Sequence, residues 1–293
     1  MEIGSLTSPA RWKEEGRTFL HRGHEIFYRE EGRGEPLLLI HGFPTSSFDW
    51  IYVWPELAKR YRLVAADLIG FGFSAKPARY DYSIPDQADL LEGLLSELAI
   101  PRYGILAHDY GDTVAQELLA RASERSTSDQ GPTFCVLLNG GLFPESHHPR
   151  FVQKLLISPI GGLVTRLITE RTFRKSFSAI FGEETKPSEE ELRCFWEIMN
   201  HNNGVRIYHR LIRYMQERRK QRTRWVGPLI NSPIPLALIN GPVDPVSGAH
   251  MVQRYRELVT TKHIYELDGI GHYPQTEAPE RMLKSFLDFV ADL

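Results

Sequence analysis

Apolar residues follow two rhythms along this chain, and the two alternate. Pro36–Ile40, Leu63–Ala66, Ile105–Ala107, Phe134–Leu138 and Pro235–Ile239 are short apolar runs of strand length. Their lack of polar alternation predicts strands covered on both faces, as in a parallel sheet. Lys262–Leu267 reads as one more strand. Between the runs, apolar positions recur every three or four residues. One such helix starts near Ser83, a good cap, with Pro85 in its first turn. It carries Leu90, Leu91, Leu94, Leu95 and Leu98 on one face and stops at Pro101. Others carry Val114, Ala115, Leu118 and Leu119; Met251, Val252, Tyr255, Leu258 and Val259; and, after Pro279, Met282, Leu283, Phe286, Leu287 and Val290. Thr18–Leu20 and Glu25–Tyr28 flank Arg22-Gly23 and predict an opening hairpin. Alternating strand and helix predicts an α/β protein, a mainly parallel sheet with helices on both faces.

From about Phe143 to Gly227 the alternation stops. Helical patterns at Phe151–Leu156, Leu163–Thr172, Glu189–Met199 and Val205–Glu217 are separated by prolines and Gly161-Gly162. This stretch predicts a helical cap over the sheet. The expected organisation is residues 1–142 as the first part of the core, 143–227 as the cap and 228–293 as the second part of the core.

A net charge of −2 gives no basic footprint for nucleic acid. Cys135 and Cys194 have no metal-type spacing and read as buried free thiols of a reducing, cytoplasmic compartment. Met1–Gly16 is polar and charged, unlike a signal peptide, and no apolar run approaches the roughly 20 residues of a membrane span. Gly70-Phe-Gly-Phe-Ser74 lacks the third glycine of a dinucleotide loop. No cofactor or metal is expected, and the partner is a small, apolar molecule. The basic run Arg218–Arg224 reads as a solvated helix end.

Sites in such sheets lie beyond the carboxyl ends of the strands. Those ends carry His41-Gly42-Phe43, Asp67, Asp109-Tyr110, Asn139, Asp244 and His272. Asp109 sits between Ala107 and Gly111, at an abrupt strand-to-helix turn with small flanking residues. That is the steric pattern of a nucleophile elbow with aspartate at its apex. Asp109, Asp244 and His272 then follow in the chain order nucleophile, acid, histidine. A carboxylate can displace a leaving group at saturated carbon and become an alkyl ester. A histidine held by an acid can then activate the water that hydrolyses it. The backbone N–H groups of Phe43 and Tyr110 are candidate oxyanion donors. His41 and His108 read as supporting or packing residues.

His41-Gly-Phe-Pro44, Gly70-Phe-Gly-Phe-Ser74, His108-Asp-Tyr-Gly111, Asp244 and Gly271-His272 together resemble the epoxide hydrolase and haloalkane dehalogenase branch of the α/β-hydrolases. Within that branch, His41–Ser47, His108–Asp112, Asn139–Glu145 and Arg224–Gly227 most resemble the mesoderm-specific transcript family. The resemblance runs from about Thr18 to the C-terminus. It implies the α/β-hydrolase fold, with an eight-stranded, mostly parallel sheet and an inserted cap.

Dehalogenases of this branch place Asn two residues after the motif histidine and Trp after the nucleophile; here Phe43 and Tyr110 stand there. Epoxide hydrolases use cap tyrosines to protonate the opening oxygen. Gly204–Arg210 resembles one tyrosine-bearing segment, with His209 at the tyrosine position and Tyr208 and Tyr214 nearby. Asp112 replaces a second small residue after the nucleophile, as in the mesoderm-specific transcript group. The expected function is that of an epoxide hydrolase-like enzyme. A haloalkane dehalogenase, an ester hydrolase and a low-turnover binding protein on the same fold are the alternatives.

Overall fold

A computed structural model describes residues 7–125 and 129–293. Eight strands, β1 (Arg17–His21), β2 (His24–Glu31), β3 (Glu35–Ile40), β4 (Tyr61–Ala66), β5 (Arg102–His108), β6 (Gly131–Leu138), β7 (Leu236–Asn240) and β8 (Ile264–Glu266), form one sheet. Their order is β1-β2-β4-β3-β5-β6-β7-β8. Only β2 runs against its neighbours. The β1–β2 turn is the expected pair, with Arg22 at φ 48° and Gly23 at φ 78°. Positive φ at both positions gives the turn whose twist matches the flanking strands. Leu37–Leu39, Leu63–Ala65 and Val136–Leu138 are fully buried because helices cover both faces of the central strands.

The chain moves outward from β3 to β4, then returns to the other side of β3 as β5. This reversal opens a crevice at the carboxyl ends of β3 and β5. The helix Ile84–Glu97 starts as expected, the Ser83 hydroxyl accepting from Asp86 N–H. It ends in a left-handed turn at Ala99 (φ 54°), with Ile100 N–H reaching back to Leu95 O at 2.8 Å.

The helical insertion differs in detail from the sequence reading. Leu163–Thr172 is not one helix: Gly161–Leu167 ends, Thr169 caps a new start through Thr172 N–H, and Glu170–Ser178 follows. Val205–Glu217 is also broken. Asn202 and Asn203 adopt left-handed backbone in the turn His201–Ile207, and short helices Tyr208–Leu211 and Tyr214–Lys220 come after it. Asparagine tolerates that conformation, so the run of helical periodicity hides a reversal. Helix Arg222–Ile230 crosses position 227 and packs on helix Tyr110–Glu124. There Trp225 Nε1–H donates to Glu117 at 2.7 Å and Gln116 donates to Trp225 O at 3.0 Å. Helix Pro9–Glu14, short and without a clear apolar period, buries Trp12 beneath Arg29.

Candidate active site

Asp109 stands between β5 and helix Tyr110–Glu124 with φ 46° and ψ −103°. A non-glycine residue held there stores strain that the surrounding packing must sustain. The packing explains the small neighbours. A Cβ on Gly111 would lie 2.3 Å from the Ile40 carbonyl oxygen, so the helix can approach β3 only as glycine. The bend aims the Asp109 side chain into the crevice, where it is 3% exposed. Its two oxygens have different surroundings. Oδ2 accepts the Phe43 N–H at 3.0 Å, and Oδ1 lies 4.0 Å from His272 Nε2.

The Phe43 loop is itself anchored. Asp67, at the end of β4, accepts from Ser47 N–H at 2.8 Å and from Phe73 N–H at 2.6 Å. Gly72 must be glycine here, since a Cβ would sit 2.0 Å from Asp67 Oδ2. The Gly70–Ser74 motif is therefore scaffolding for the crevice. His41 has the same role: Leu68 N–H donates to its Nε2 at 3.0 Å, which leaves Nδ1–H to donate to Gly42 O at 2.9 Å. Burial lowers its proton affinity.

His272 follows Gly271, whose α-carbon is hemmed in by Ile180 O; a Cβ would lie 2.4 Å away. His272 N–H donates to the same Ile180 carbonyl, and His108 Nε2–H donates to His272 O at 2.8 Å. With the backbone pinned, Nδ1–H donates to Asp244 Oδ2 at 2.7 Å, leaving Nε2 directed at Asp109. Burial alone would lower the imidazole's proton affinity. The charge and hydrogen bond of Asp244, then Asp109, outweigh it and raise the group to about 9. Asp244 is buried as well, but the charge and hydrogen bond of His272, with donors from Asn139 and Val246, carry its carboxyl below the usual range.

Asn139 is the residue whose role the sequence reading missed, although it was visible as a strand end. It sits at φ 45° after β6, donates to Asp244 Oδ2 at 3.0 Å and to Gly241 O at 3.1 Å, and accepts Gly241 N–H at 2.8 Å. It ties β6 to the loop carrying Asp244. No local signal predicts this, because the partners lie across the sheet.

The structure thus brings Asp109, Asp244, His272, Phe43 and Tyr110 into one crevice. The three cap residues separate. Tyr214 is fully buried, with its ring 4.7 Å from that of Tyr110 and its phenol beside the Arg218 guanidinium. Burial, then the charge of Asp109, holds that phenol's proton more tightly than usual. Tyr208 packs on Phe43 at 5.2 Å, but its hydroxyl is spent on Pro44 O at 3.1 Å. His209 is not brought to the crevice; it lies beside Gly161 and Gly162 and lines a surface hollow with Pro159 and Arg166. Among the described residues no group of three or more His, Cys, Asp or Glu side chains converges as metal ligands would. Nor is any helix among them long and apolar enough to cross a membrane.

Residues 37–284 match the model of the alpha/beta hydrolase family. The chain belongs to that family. It is 40% identical to the mesoderm-specific transcript protein of Mus musculus, over 97% of this chain and 88% of that one. Among solved structures it is similar to haloalkane dehalogenase DbeA of Bradyrhizobium elkani, with 24% identity, a TM-score of 0.78 and coverage of 94% and 97% of the two chains. It is likewise similar to epoxide hydrolase CorEH, with 20% identity, a TM-score of 0.74 and coverage of 94% and 98%. At these identities the two structures speak for the fold alone.

Proposed function

We propose that this hydrolase uses Asp109 as a nucleophile toward saturated carbon, with an epoxide as its substrate and no group beyond its own side chains and water. The observation that carries the reading is the unequal environment of the two Asp109 oxygens. Oδ1 is free to attack, and the ring C–O bond breaks as the new C–O bond forms. The opening oxygen takes its proton from Tyr214, a cap phenol whose oxygen faces the Arg218 guanidinium and whose O–H is therefore left to donate. Oδ2 becomes the carbonyl oxygen of the ester, already against Phe43 N–H. The 4.0 Å between His272 Nε2 and Asp109 Oδ1 suits an intervening water better than a direct hydrogen bond. His272 removes a proton from that water, which attacks the ester carbonyl carbon. The bond from that carbon to Oδ1 then breaks, and the leaving alkoxide takes the imidazolium's proton to give the diol. The proton of the new Asp109 carboxyl restores the Tyr214 phenol. The charge on Oδ2 is held by Phe43 N–H, with Tyr110 N–H at the helix start as the second donor.

Esterification also tunes the base. Neutralising Asp109 removes one of the charges that raise His272, so the imidazole gives up its proton more readily when it must act as a base. Phe43 and Tyr110 offer no side-chain N–H to a departing halide, which favours the epoxide over the haloalkane. In this reading helices from Phe151 to Lys220 form the cap, and its limit falls before Arg222 rather than at 227. The test is turnover of matched epoxides, haloalkanes and short esters. Diol formation that Asp109→Ala abolishes is expected. Hydrolysis of esters alone, or activity surviving in Asp109→Ala, contradicts the proposal. Binding without any turnover favours a ligand-binding protein.

A further inference from the structure

The basic run Arg218–Arg224 is not the solvated helix end expected of it. Arg218 turns inward and is buried, Arg222 pairs with Glu145, and Arg224 pairs with Glu117 and Glu124. The cations without a counter-charge lie elsewhere, on the outer layer of the helical insertion. Between Ser146 and Gly182 the only acidic residue is Glu170, and Arg174 pairs with it. Between Ile198 and Gln216 there is none. Lys154, Arg166, Arg171, Arg206 and Arg213 are all exposed, and among the described residues no carboxylate pairs with any of them.

The same layer is apolar. Phe151 and Leu167 are each 75% exposed, Leu163 60% and Ile160 54%. Surfaces that face only water keep such side chains scattered, whereas these fall within one short stretch. Their direction follows from what holds the helices down. Helices Phe151–Ile157 and Gly161–Leu167 pack on each other and on helix Tyr208–Leu211. Gly161 is a point of close approach, where a Cβ would lie 1.9 Å from Leu156 O and 3.0 Å from His209 Cβ. One turn further on, Thr165 is buried, with its hydroxyl 3.4 Å from Arg206 O. Leu163 and Leu167 stand two positions beyond these contacts, a little over half a turn round the helix, so they face outward. Leu163 shares a surface hollow with Arg166, Arg206 and His209, which puts apolar and cationic groups side by side. Phe151 and Lys154 repeat the pairing on the neighbouring helix, on the side away from buried Leu156.

This combination selects its partner. A second copy of the chain would set cations against cations in a two-fold contact. An acidic protein surface would match the cations and leave the four apolar side chains in water. A bilayer with anionic headgroups takes both: apolar side chains sink about 5–10 Å to the acyl boundary while Lys and Arg meet the phosphates. The chain as a whole carries −2, so the rest of it is acidic and is turned away from such a surface. We infer that the outer face of helices Phe151–Ile157 and Gly161–Leu167 docks on an anionic membrane surface. The docking stands whether or not Asp109 acts as a nucleophile.

Phosphatidylcholine vesicles with and without phosphatidylglycerol, and soluble polyglutamate, are the probes. The protein should sediment with the anionic vesicles about tenfold more strongly than with the neutral ones, and less so as salt is added. Arg166→Gln and Arg206→Gln should each weaken that binding about fivefold, and Leu163→Ser with Leu167→Ser about tenfold or more. Leu20→Ser, at a position 66% exposed on β1, should leave it unchanged. All these side chains are exposed, so the variants fold, and equal melting temperatures verify it. A gain of signal complements the losses. The added indole of Leu167→Trp, read as the difference from wild type, should shift to the blue on anionic vesicles and be quenched by lipids brominated on their acyl chains. No sedimentation with anionic vesicles, equal binding to neutral ones, undiminished binding by the Leu163→Ser/Leu167→Ser protein, or an unshifted indole overturns the inference. Binding to polyglutamate without vesicle binding assigns the face to an acidic protein and also overturns it. So does self-association without vesicle binding, which assigns the face to a second copy.

Discussion

Replacing Asn139 with glycine and, separately, with alanine divides the side-chain contribution from the backbone one at the joint between β6 and the Asp244 loop. Glycine accepts φ 45° freely, so Asn139→Gly removes only the side chain. Three buried hydrogen bonds disappear: to Asp244 Oδ2 at 3.0 Å, to Gly241 O at 3.1 Å and from Gly241 N–H at 2.8 Å. The Gly241 N–H is left buried without its partner, at about 1–3 kcal/mol, and the charge-assisted bond to Asp244 adds a comparable amount. Asp244 keeps Val246 N–H at 2.7 Å and Ser247 N–H at 3.1 Å, so the loop persists and the variant folds. The expected loss for Asn139→Gly is about 3 kcal/mol. Alanine adds the left-handed backbone penalty, about 1 kcal/mol more. Urea denaturation of the three proteins at pH 7, followed by circular dichroism, measures both steps. A glycine variant within about 0.5 kcal/mol of wild type, or an alanine variant no worse than glycine, refutes the reasoning.

Gly111→Ala places a Cβ 2.3 Å from Ile40 O, where no rotamer can relieve the clash, and should cost about 3 kcal/mol in the same assay together with any turnover. A stable, active variant would show that the elbow is not packed as described. Asp112 holds its proton much more tightly in the folded protein than in the unfolded chain, through burial and then the charge of Asp109. Its raised folded-state proton affinity means that wild-type stability falls as pH rises above about 4. Asp112→Asn removes this dependence, so the melting-temperature difference between variant and wild type should change steadily in favour of the variant from pH 4 to pH 8. Parallel profiles contradict a buried neutral acid. His272, raised to about 9 in the free enzyme, should titrate there by NMR. Hydrolysis of the alkyl intermediate should rise with pH through a lower value, because esterified Asp109 carries no charge. Identical values for the two states would contradict that coupling.

The sheet was legible because Pro36–Ile40, Leu63–Ala66 and Phe134–Leu138 are apolar without alternation, a pattern that parallel strands require and surface strands do not tolerate. The residues of the crevice were legible for a related reason. Strand ends are few, and Asp109, Asp244 and His272 stand at them. Breaks inside the helical insertion were not. Thr169 and Asn202-Asn203 interrupt runs whose apolar spacing continues across the break. Periodicity records which face is buried, not whether the axis is continuous. The burial of Arg218 was hidden by its neighbours, since a run of basic residues reads as solvated unless the fold turns one member inward. The bonds of Asn139 join segments about a hundred positions apart.

The most direct test of the proposed chemistry is the intact mass of His272→Gln after incubation with a reactive epoxide. Without the base the ester should accumulate, giving a mass gain equal to the whole epoxide, located on the peptide that contains Asp109. Wild-type protein treated in parallel should show no lasting gain. A gain located on any other residue, or diol formed by wild type with no trapped ester in the variant, would contradict attack by Asp109.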